Sequence, residues 1–231
     1  MRLDKYLSDC EIATRTETKK LVRQGRIKIN GAPAIKSSDK VDESSDVEID
    51  GEKVVYKKNI YLMMNKPKGY ISAVYDKRLP TVLDLINEEY RKFEPFPVGR
   101  LDIDTEGLLI LSNDGDFAHK MTSPKKNVFK RYFAVLDKGA EEKDRDIFAE
   151  GIDLGDFTSK GAVLEICENP CEVFVEICEG KFHQVKRMFE AVGKKVVYLK
   201  RVKIGGVCLD ESLAEGEVRE MSEEEILNIL T

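Results

Sequence analysis

The chain has 231 residues and a formal net charge of −5, with 42% hydrophobic and 35% charged residues. This length has room for one ordinary domain and a smaller one, and the composition is that of a soluble globular protein. No apolar run reaches the roughly 18 to 20 residues that cross a bilayer, and the charged N-terminus has no apolar segment of the kind found in secretory signals. These observations argue against a membrane protein and against a secreted one.

The five cysteines are odd in number and form no C-x-x-C pair. Cys167 and Cys171 could in principle bind a metal, but no second pair stands at zinc-site spacing, and the only histidines are His119 and His183. Free buried thiols in a reducing compartment are therefore the favoured interpretation. This places the protein in the cytoplasm and predicts no metal site.

Positive charge is concentrated in three stretches although the total charge is negative. Residues 1–36 contain nine Lys/Arg and four Asp/Glu, residues 119–131 contain five and none, and residues 181–203 contain eight and one. Residues 211–231, with seven Glu and one Arg, bring the total down. Because a polyanion responds to the local field, the clusters are compatible with a nucleic-acid partner, although each alone could be a solvated face.

Two short helices are the first predicted elements. The first carries an apolar stripe of Leu3, Tyr6 and Leu7. The second begins after Thr14, a residue suited to capping, and is expected to end at Gly25.

Short strands and tight turns follow the helices. Residues 26–29 alternate as a strand, and the pairs Asn30-Gly31 and Asp50-Gly51 are strong hairpin signals. We therefore predict a small α/β module over residues 1–58.

From residue 59 onward the pattern changes to that of a larger α+β domain, predicted to cover residues 59–231. Strands are predicted at residues 61–64, 108–111, 132–136, 163–166, 173–177 and 196–202. Helices are predicted near residues 116–122, 141–149 and 183–192. This irregular order favours a mixed, largely antiparallel sheet with flanking helices over a regular β-α-β alternation.

The most informative segment covers residues 99–111, with the sequence GRLDIDTEGLLIL. It is a charged loop that leads into a buried strand, and loops held by rigid strands commonly present catalytic groups. From the residues alone, Asp102, Asp104 and Glu106 are all candidates, and a purely structural Arg–Asp pair is an alternative.

Five segments, in order along the chain, resemble the motifs of one enzyme family. The pattern G-R-L-D-x-x-T-x-G-L-L at residues 99–109 resembles the signature of the pseudouridine synthases of the RsuA and RluA superfamily. So do YLMMNKPKGY at 61–70, KRYFAV at 130–135, EGKFHQVKRMF at 179–189 and RVKIGG at 201–206. The opening helices and hairpin are similar to an S4 RNA-binding module. The resemblance, to the RsuA type above all, implies an rRNA pseudouridine synthase.

Three catalytic positions follow from this resemblance. Asp102 stands at the aspartate that attacks the target nucleotide, Tyr132 at the tyrosine that lies against the base and assists proton removal, and Lys186 at the basic partner of the aspartate. Arg100 is implied to help hold the flipped nucleotide. The reaction breaks the N-glycosidic bond of uridine and rejoins the base through C5 without redox change, so no cofactor is expected.

The chemistry suits these residue types. A carboxylate can act as a nucleophile when a neighbouring cation keeps it ionised. The target base must first leave its stack, and an aromatic side chain such as Tyr132 can then support its face.

Each of these side chains also has an ordinary structural interpretation. Tyr132 lies in an apolar strand and could be a core residue, and Lys186 lies off the apolar stripe of its helix and could be a solvated lysine. His183 is interpreted as a structural or hydrogen-bonding group and Asp104 as a loop former. Residues 65–69, NKPKG, are interpreted as a structural turn with possible phosphate contact.

The S4-like module is expected to contact the RNA backbone, which positions an enzyme without selecting a base. The residues expected to do so are Arg15, Lys19, Lys20, Arg23, Arg26 and Lys28. The resemblance to the RsuA type implies 16S ribosomal RNA within a partly assembled small subunit as the substrate. The protein is expected to be a monomer. Large-subunit rRNA as the substrate, or a non-catalytic RNA-binding assembly protein, are the alternatives.

Overall fold

The computed structural model describes residues 1–10, 12–54, 56–123 and 126–230. The chain divides into two compact units, Met1–Lys58 and Asn59–Thr231. No helix within the described residues is both long enough and apolar enough to cross a membrane.

The N-terminal unit packs two helices against a four-stranded antiparallel sheet with the strand order β2-β1-β3-β4. Its elements are α1 (Leu3–Asp9), α2 (Arg15–Arg23), β1 (Ile27–Ile29), β2 (Ala32–Pro33), β3 (Val47–Ile49) and β4 (Glu52–Val54). The predicted stripe of α1 lies in the core, where Leu3 and Leu7 are fully buried.

Local capping and turn chemistry set the ends of these elements. The Thr14 side chain accepts a hydrogen bond from the Glu17 N–H at 3.2 Å and thereby caps α2. The two predicted hairpin turns are confirmed, since Asn30-Gly31 joins β1 to β2 and Asp50-Gly51 joins β3 to β4. All four turn residues have positive φ, as hairpin turns of this kind require.

The second unit is built on a nine-stranded sheet. Its strands are β5 (Tyr61–Lys66), β6 (Phe96–Val98), β7 (Glu106–Ser112), β8 (Lys130–Leu136), β9 (Val163–Ile166), β10 (Glu172–Ile177), β11 (Val196–Ile204), β12 (Val207–Cys208) and β13 (Val218–Glu220). Its helices are the 3₁₀ helix Val82–Leu85, α3 (Glu88–Arg91), α4 (Gly115–Thr122), α5 (Glu142–Glu150), α6 (Gln184–Ala191) and α7 (Glu223–Asn228).

The strands of the main path follow the order β13-β5-β7-β11-β8-β10-β9, with β6 paired to β7 and β12 to β11. Among the described pairings only β7 and β11 run parallel. The predicted fold class, α+β with a mixed and largely antiparallel sheet, is confirmed.

Strand β5 shows how side chains divide between the two faces of the sheet. Leu62 and Met64 belong to the larger apolar cluster, whereas Met63 belongs to the smaller cluster on the other face. This alternation places Lys66 on the same face as Leu62 and Met64.

The predicted strands and helices of this unit lie near their predicted positions, but several short elements were not predicted. β6 was overlooked because its three residues include a proline, and α7 because it lies in the acidic tail. The expectation of buried thiols was wrong, because Cys208 is exposed and the other four cysteines are half-buried.

Candidate active site

The charged loop of residues 99–105 reaches the centre of the sheet at the start of β7. Gly107, two residues further on, has φ of +98° and pairs with Arg201 of β11. A Cβ at this position would lie 2.2 Å from the Arg201 carbonyl oxygen, so only glycine permits this close approach. The glycine of the motif therefore has a structural reason, and it lies just after the loop ends, in β7.

Lys66, at the end of β5, anchors the loop of residues 99–105. Its side chain is fully buried. The Nζ donates hydrogen bonds to the carbonyl oxygens of Pro67 at 3.0 Å, Asp102 at 3.1 Å and Thr105 at 2.9 Å. Burial lowers the pKa of this ammonium from 10.5 to about 8.

The expected phosphate contact of the NKPKG segment is therefore wrong for Lys66, because its ammonium is enclosed and directed at backbone carbonyls. Sequence reasoning missed this supporting role. The signal was present in the period-two alternation of β5, which places residue 66 on the face of Leu62 and Met64.

Two further contacts fix the loop to the segment after β5. The Ser72 hydroxyl donates to the Leu101 carbonyl at 3.1 Å and accepts from the Leu101 N–H at 3.0 Å. The Gly69 N–H donates to the Ile103 carbonyl at 2.7 Å. The backbone on both sides of Asp102 is thus held before any ligand arrives.

Lys186 of α6 lies between two carboxylates of the loop. Its Nζ is 2.6 Å from Asp104 Oδ1 and 3.4 Å from Asp102 Oδ2, and its side chain is only 18% exposed. The interpretation of Lys186 as a solvated lysine is therefore wrong. The contact to Asp102 is an ion pair, and the hydrogen bond of the Lys186 ammonium goes to Asp104.

Asp104 was interpreted from the sequence as a loop former, but its side chain has a further role. Partial burial raises the pKa of its carboxyl, but the hydrogen bond and charge of Lys186 outweigh that effect, so the pKa is lowered overall. Asp104 is thereby kept ionised and fixes the Lys186 ammonium beside Asp102.

His183 begins α6 in a left-handed backbone conformation, with φ of 49° and ψ of 27°. Its Nε2 is 3.6 Å from Asp102 Oδ1, and its ring stacks on the exposed Phe182 ring at 3.8 Å between centroids. It borders the site beside the carboxylate, without a hydrogen bond to it.

Tyr132 is both a core residue and a site residue. It is 7% exposed and belongs to the large apolar cluster, as the ordinary interpretation expected. It also lines a pocket together with Asp102, Lys186, His183 and Arg100, which we call the Asp102 pocket. The fold therefore brings together residues of a loop, a strand and a helix that are far apart in sequence.

A second cavity, which we call the Arg201 chamber, shares Tyr132 and Arg100 with the Asp102 pocket. Its volume is about 310 Å³, and Lys130 and Arg201 are among its lining residues. Arg100 is exposed and makes no hydrogen bond or ion pair to any described residue, which leaves its guanidinium available at both cavities. No group of three or more His, Cys, Asp or Glu among the described residues is arranged to hold a metal ion.

The basic side chains assigned to RNA contact in the N-terminal unit are all exposed. They are Arg15, Lys19, Lys20, Arg23, Arg26 and Lys28. They are not equivalent, since the Arg26 guanidinium forms an ion pair with Asp50. That carboxylate offsets the charge that Arg26 can offer to a polyanion.

Comparisons with known proteins agree with this geometry. A family model described as RNA pseudouridylate synthase matches residues 60–191, and a model of the S4 domain matches residues 1–54. The first match covers every lining residue of the Asp102 pocket except Leu199, and the second covers the basic helix α2.

Similar proteins extend over the whole chain. An RNA pseudouridine synthase of Bacillus subtilis (strain 168) is 46% identical over 231 residues, which cover 98% of this chain and 97% of that protein. Ribosomal small subunit pseudouridine synthase A of Escherichia coli (strain K12) is 38% identical over 234 residues and 100% of both chains. The crystal structure of a pseudouridylate synthase, also 38% identical, aligns over 99% of each chain with a TM-score of 0.70. The chain therefore belongs to the RNA pseudouridylate synthase family, enzymes that form pseudouridine in RNA, and carries an S4 domain ahead of its catalytic domain.

Proposed function

We propose that the protein converts a uridine of 16S ribosomal RNA to pseudouridine, with Asp102 as the nucleophile that attacks the target nucleotide. The observation that carries this proposal is the Asp102 carboxylate, which lies 3.4 Å from the Lys186 ammonium in a pocket lined by Tyr132. A carboxylate oxygen can act as a nucleophile when neighbouring groups hold it in position.

The isomerisation exchanges one bond of the nucleotide for another. The bond between ribose C1′ and uracil N1 breaks, the base turns, and a bond forms between C1′ and C5. C5 then loses its proton and N1 gains one, so the product has the same atoms as the substrate. Asp102 supplies the electron pair that attacks the nucleotide, and the bond it forms breaks again before the product leaves, which regenerates the carboxylate. Tyr132 assists removal of the C5 proton.

Asp104 acts as a positioning residue. Its 2.6 Å contact holds the Lys186 ammonium next to Asp102. The Asp102 carboxylate is thereby left available for reaction. Lys66 is a second positioning residue, because its ammonium donates a hydrogen bond to the Asp102 carbonyl oxygen. A preorganised arrangement of this kind need not be rebuilt when the substrate binds.

The substrate uridine leaves its stack and enters the Asp102 pocket as a flipped nucleotide. Tyr132 supports the uracil face, and Arg100, which is free of partners among the described residues, holds the nucleotide. The exposed cations of α2 contact phosphates elsewhere on the RNA, which positions the enzyme and does not select the base.

The choice of 16S rRNA rests on the relatives named as small-subunit enzymes, which match this chain over its full length. We propose that the substrate is a partly assembled small subunit in the cytoplasm, where the target uridine is still accessible.

The test is to incubate the purified protein with 16S transcript, assembling small subunits and 23S transcript, and to map pseudouridine in each. We expect one modified uridine in a small-subunit sample and none in 23S. Modification of 23S alone would move the substrate to the large subunit. Binding to rRNA without modification of any sample would instead favour a non-catalytic assembly protein.

A further inference from the structure

A side chain that lines the Arg201 chamber has a donor nitrogen that the fold does not use. The Arg201 side chain is 4% exposed, and its Nε donates to the Leu108 carbonyl at 2.7 Å. Within the described residues no acceptor reaches its Nη2. A guanidinium has five N–H donors in a planar fork, and buried donors left unpaired destabilise a fold.

A second cation lines the same chamber. Lys130 is half-buried, and its Nζ donates to the Val128 carbonyl at 2.6 Å. Burial, together with the charge of Arg201, lowers the pKa of Lys130 from 10.5 to about 8. Two like charges on the walls of one partly desolvated chamber oppose folding, a cost often found where a site is shaped for a ligand.

The acidic residue of the chamber is bonded to neutral donors and not to these cations. Glu179 lines the chamber, but its Oε2 accepts hydrogen bonds from the Lys160 N–H and the Gln184 Nε2, both at 3.0 Å. The exposed cations Arg100 and Lys181 also line the chamber. The chamber is therefore positively charged and suited to an anion.

We propose that the Arg201 chamber binds a backbone phosphate of the substrate RNA adjacent to the flipped nucleotide, with Arg201 and Lys130 as its ligands. The proposal rests on the function proposed above, since Tyr132 and Arg100 line both cavities and a nucleotide in one has its neighbour in the other. The guanidinium fork matches phosphate geometry and can bind two oxygens at once.

The apolar walls and the volume of the chamber favour an RNA phosphate over free phosphate. Val98, Met121 and Ile204 give the chamber an apolar side, and its volume of about 310 Å³ exceeds what one phosphate needs. A ribose attached to the phosphate would cover these apolar groups. The chamber would hold the flipped strand in place without reading its bases.

The test compares equilibrium binding of 16S transcript across a salt titration for variants on two walls of the chamber. Lys130→Met removes one cation, and Lys138→Met, an exposed lysine outside the chamber, is its matched control. We expect Lys130→Met to weaken RNA binding about tenfold and to flatten the plot of log K against log salt by about 0.7 to 0.9, the value for one phosphate. Lys138→Met should keep the wild-type slope.

Ser123, on another wall of the chamber, provides a second pair of variants that leaves both cations in place. Ser123→Asp and Ser123→Asn have nearly the same shape and differ in charge. We expect the Asp variant to bind RNA at least about tenfold more weakly than the Asn variant at low salt, with the difference shrinking as salt screens the new charge.

Inorganic phosphate, added at constant ionic strength, is the second probe. If the variants alter phosphate binding but leave RNA affinity and slope unchanged, the chamber takes a free anion and the proposal is wrong. The proposal is also wrong if neither ligand responds in either pair. Absence of pseudouridine formation by the wild-type protein would overturn the proposed function instead, because that assay is separate from these binding curves.

Discussion

The catalytic unit and the N-terminal unit use lysine and arginine in different ways. In the catalytic unit, Lys66 and Arg201 are buried and donate to backbone carbonyls, and Lys186 is shared by two carboxylates. On helix α2 of the N-terminal unit, Lys19 and Arg23 are exposed to solvent. The cations of the catalytic unit interact with particular atoms in defined directions. The exposed cations of α2 contribute a positive electrostatic field.

The difference separates two contributions to RNA modification. An exposed cation attracts phosphate over about a Debye length, so its effect falls as salt rises. A buried cation acts on the few atoms that it touches and is screened much less. We therefore expect changes around Asp102 and Lys186 to alter turnover, and changes on α2 to alter affinity and its salt dependence.

A third kind of cation provides an internal reference. Lys194 is nearly buried and forms a 2.8 Å ion pair with the fully buried Asp144, away from the residues that line either cavity. The Asp144 carboxylate also accepts a hydrogen bond from the Glu141 N–H at 2.8 Å. This pair should matter for stability alone.

The largest effect is expected at Asp102. Asp102→Asn keeps the size of the side chain and removes the negative charge of the proposed nucleophile, so turnover on rRNA should fall by at least about 1000-fold, or about 4 kcal/mol of activation free energy. RNA affinity should stay within about threefold of wild type, and the melting temperature should be unchanged or higher. Asp104→Asn is the control and should lose about tenfold, because it only positions Lys186. Turnover of Asp102→Asn within tenfold of wild type would move the nucleophile to Asp104.

Lys194→Met tests the reference pair. It leaves the Asp144 carboxylate buried without its cation, which typically costs about 3 to 5 kcal/mol. Urea unfolding should show this loss, while turnover per folded molecule stays at the wild-type value. The double variant Lys194→Met/Asp144→Leu should recover most of the stability, since both charges are gone. A loss below about 1 kcal/mol in the single variant would contradict the assignment.

Lys66 should make stability depend on pH in a known direction. Its pKa is about 8 in the folded protein and 10.5 ordinarily, so the unfolded chain binds more protons between these values. Stability therefore rises with pH across this window, by up to roughly 3 kcal/mol from this group. Lys66→Met lacks the contribution.

The measurement is urea unfolding of wild type and Lys66→Met at several pH values from 7.5 to 10.5. The stability of wild type relative to the variant should increase as pH rises, because Lys130 and all other groups are common to both proteins. Parallel curves would mean that the Lys66 ammonium is not desolvated. Turnover of the variant at pH 7.5 should fall about tenfold or more, because the 99–105 loop loses its anchor.

The smallest effect per residue is expected on α2. Replacing Lys19, Lys20 and Arg23 together by Gln should reduce the slope of log K against log salt by about 2 to 3, as three phosphate contacts are lost. Turnover at saturating RNA and the choice of uridine should not change. Arg26→Gln alone should change the slope less than Lys19→Gln, because Asp50 already offsets its charge. An unaltered slope in the triple variant would make α2 a structural element only.

Local patterns in the sequence determined much of this protein. The α2 cap at Thr14, the turns at Asn30-Gly31 and Asp50-Gly51, and the long strands depend on residues close together in the chain. Capping, turn geometry and periodicity act over a few residues, so these elements could be predicted. Asp102 as the candidate nucleophile was reached only through the family resemblance, since the residues alone left three acidic candidates.

Only the tertiary structure decided how the site is built. Lys66 donates a hydrogen bond to the backbone carbonyl of Asp102, 36 residues away in sequence. Lys186 donates a hydrogen bond to Asp104, from which it is separated by 82 residues. Whether Arg201 lies under Tyr132 or in solvent depends on the pairing of β8 with β11. Such contacts are set by strand order and by the direction in which each side chain leaves the backbone. A one-residue change of register would reverse that direction, so neighbouring residues in the sequence do not reveal it.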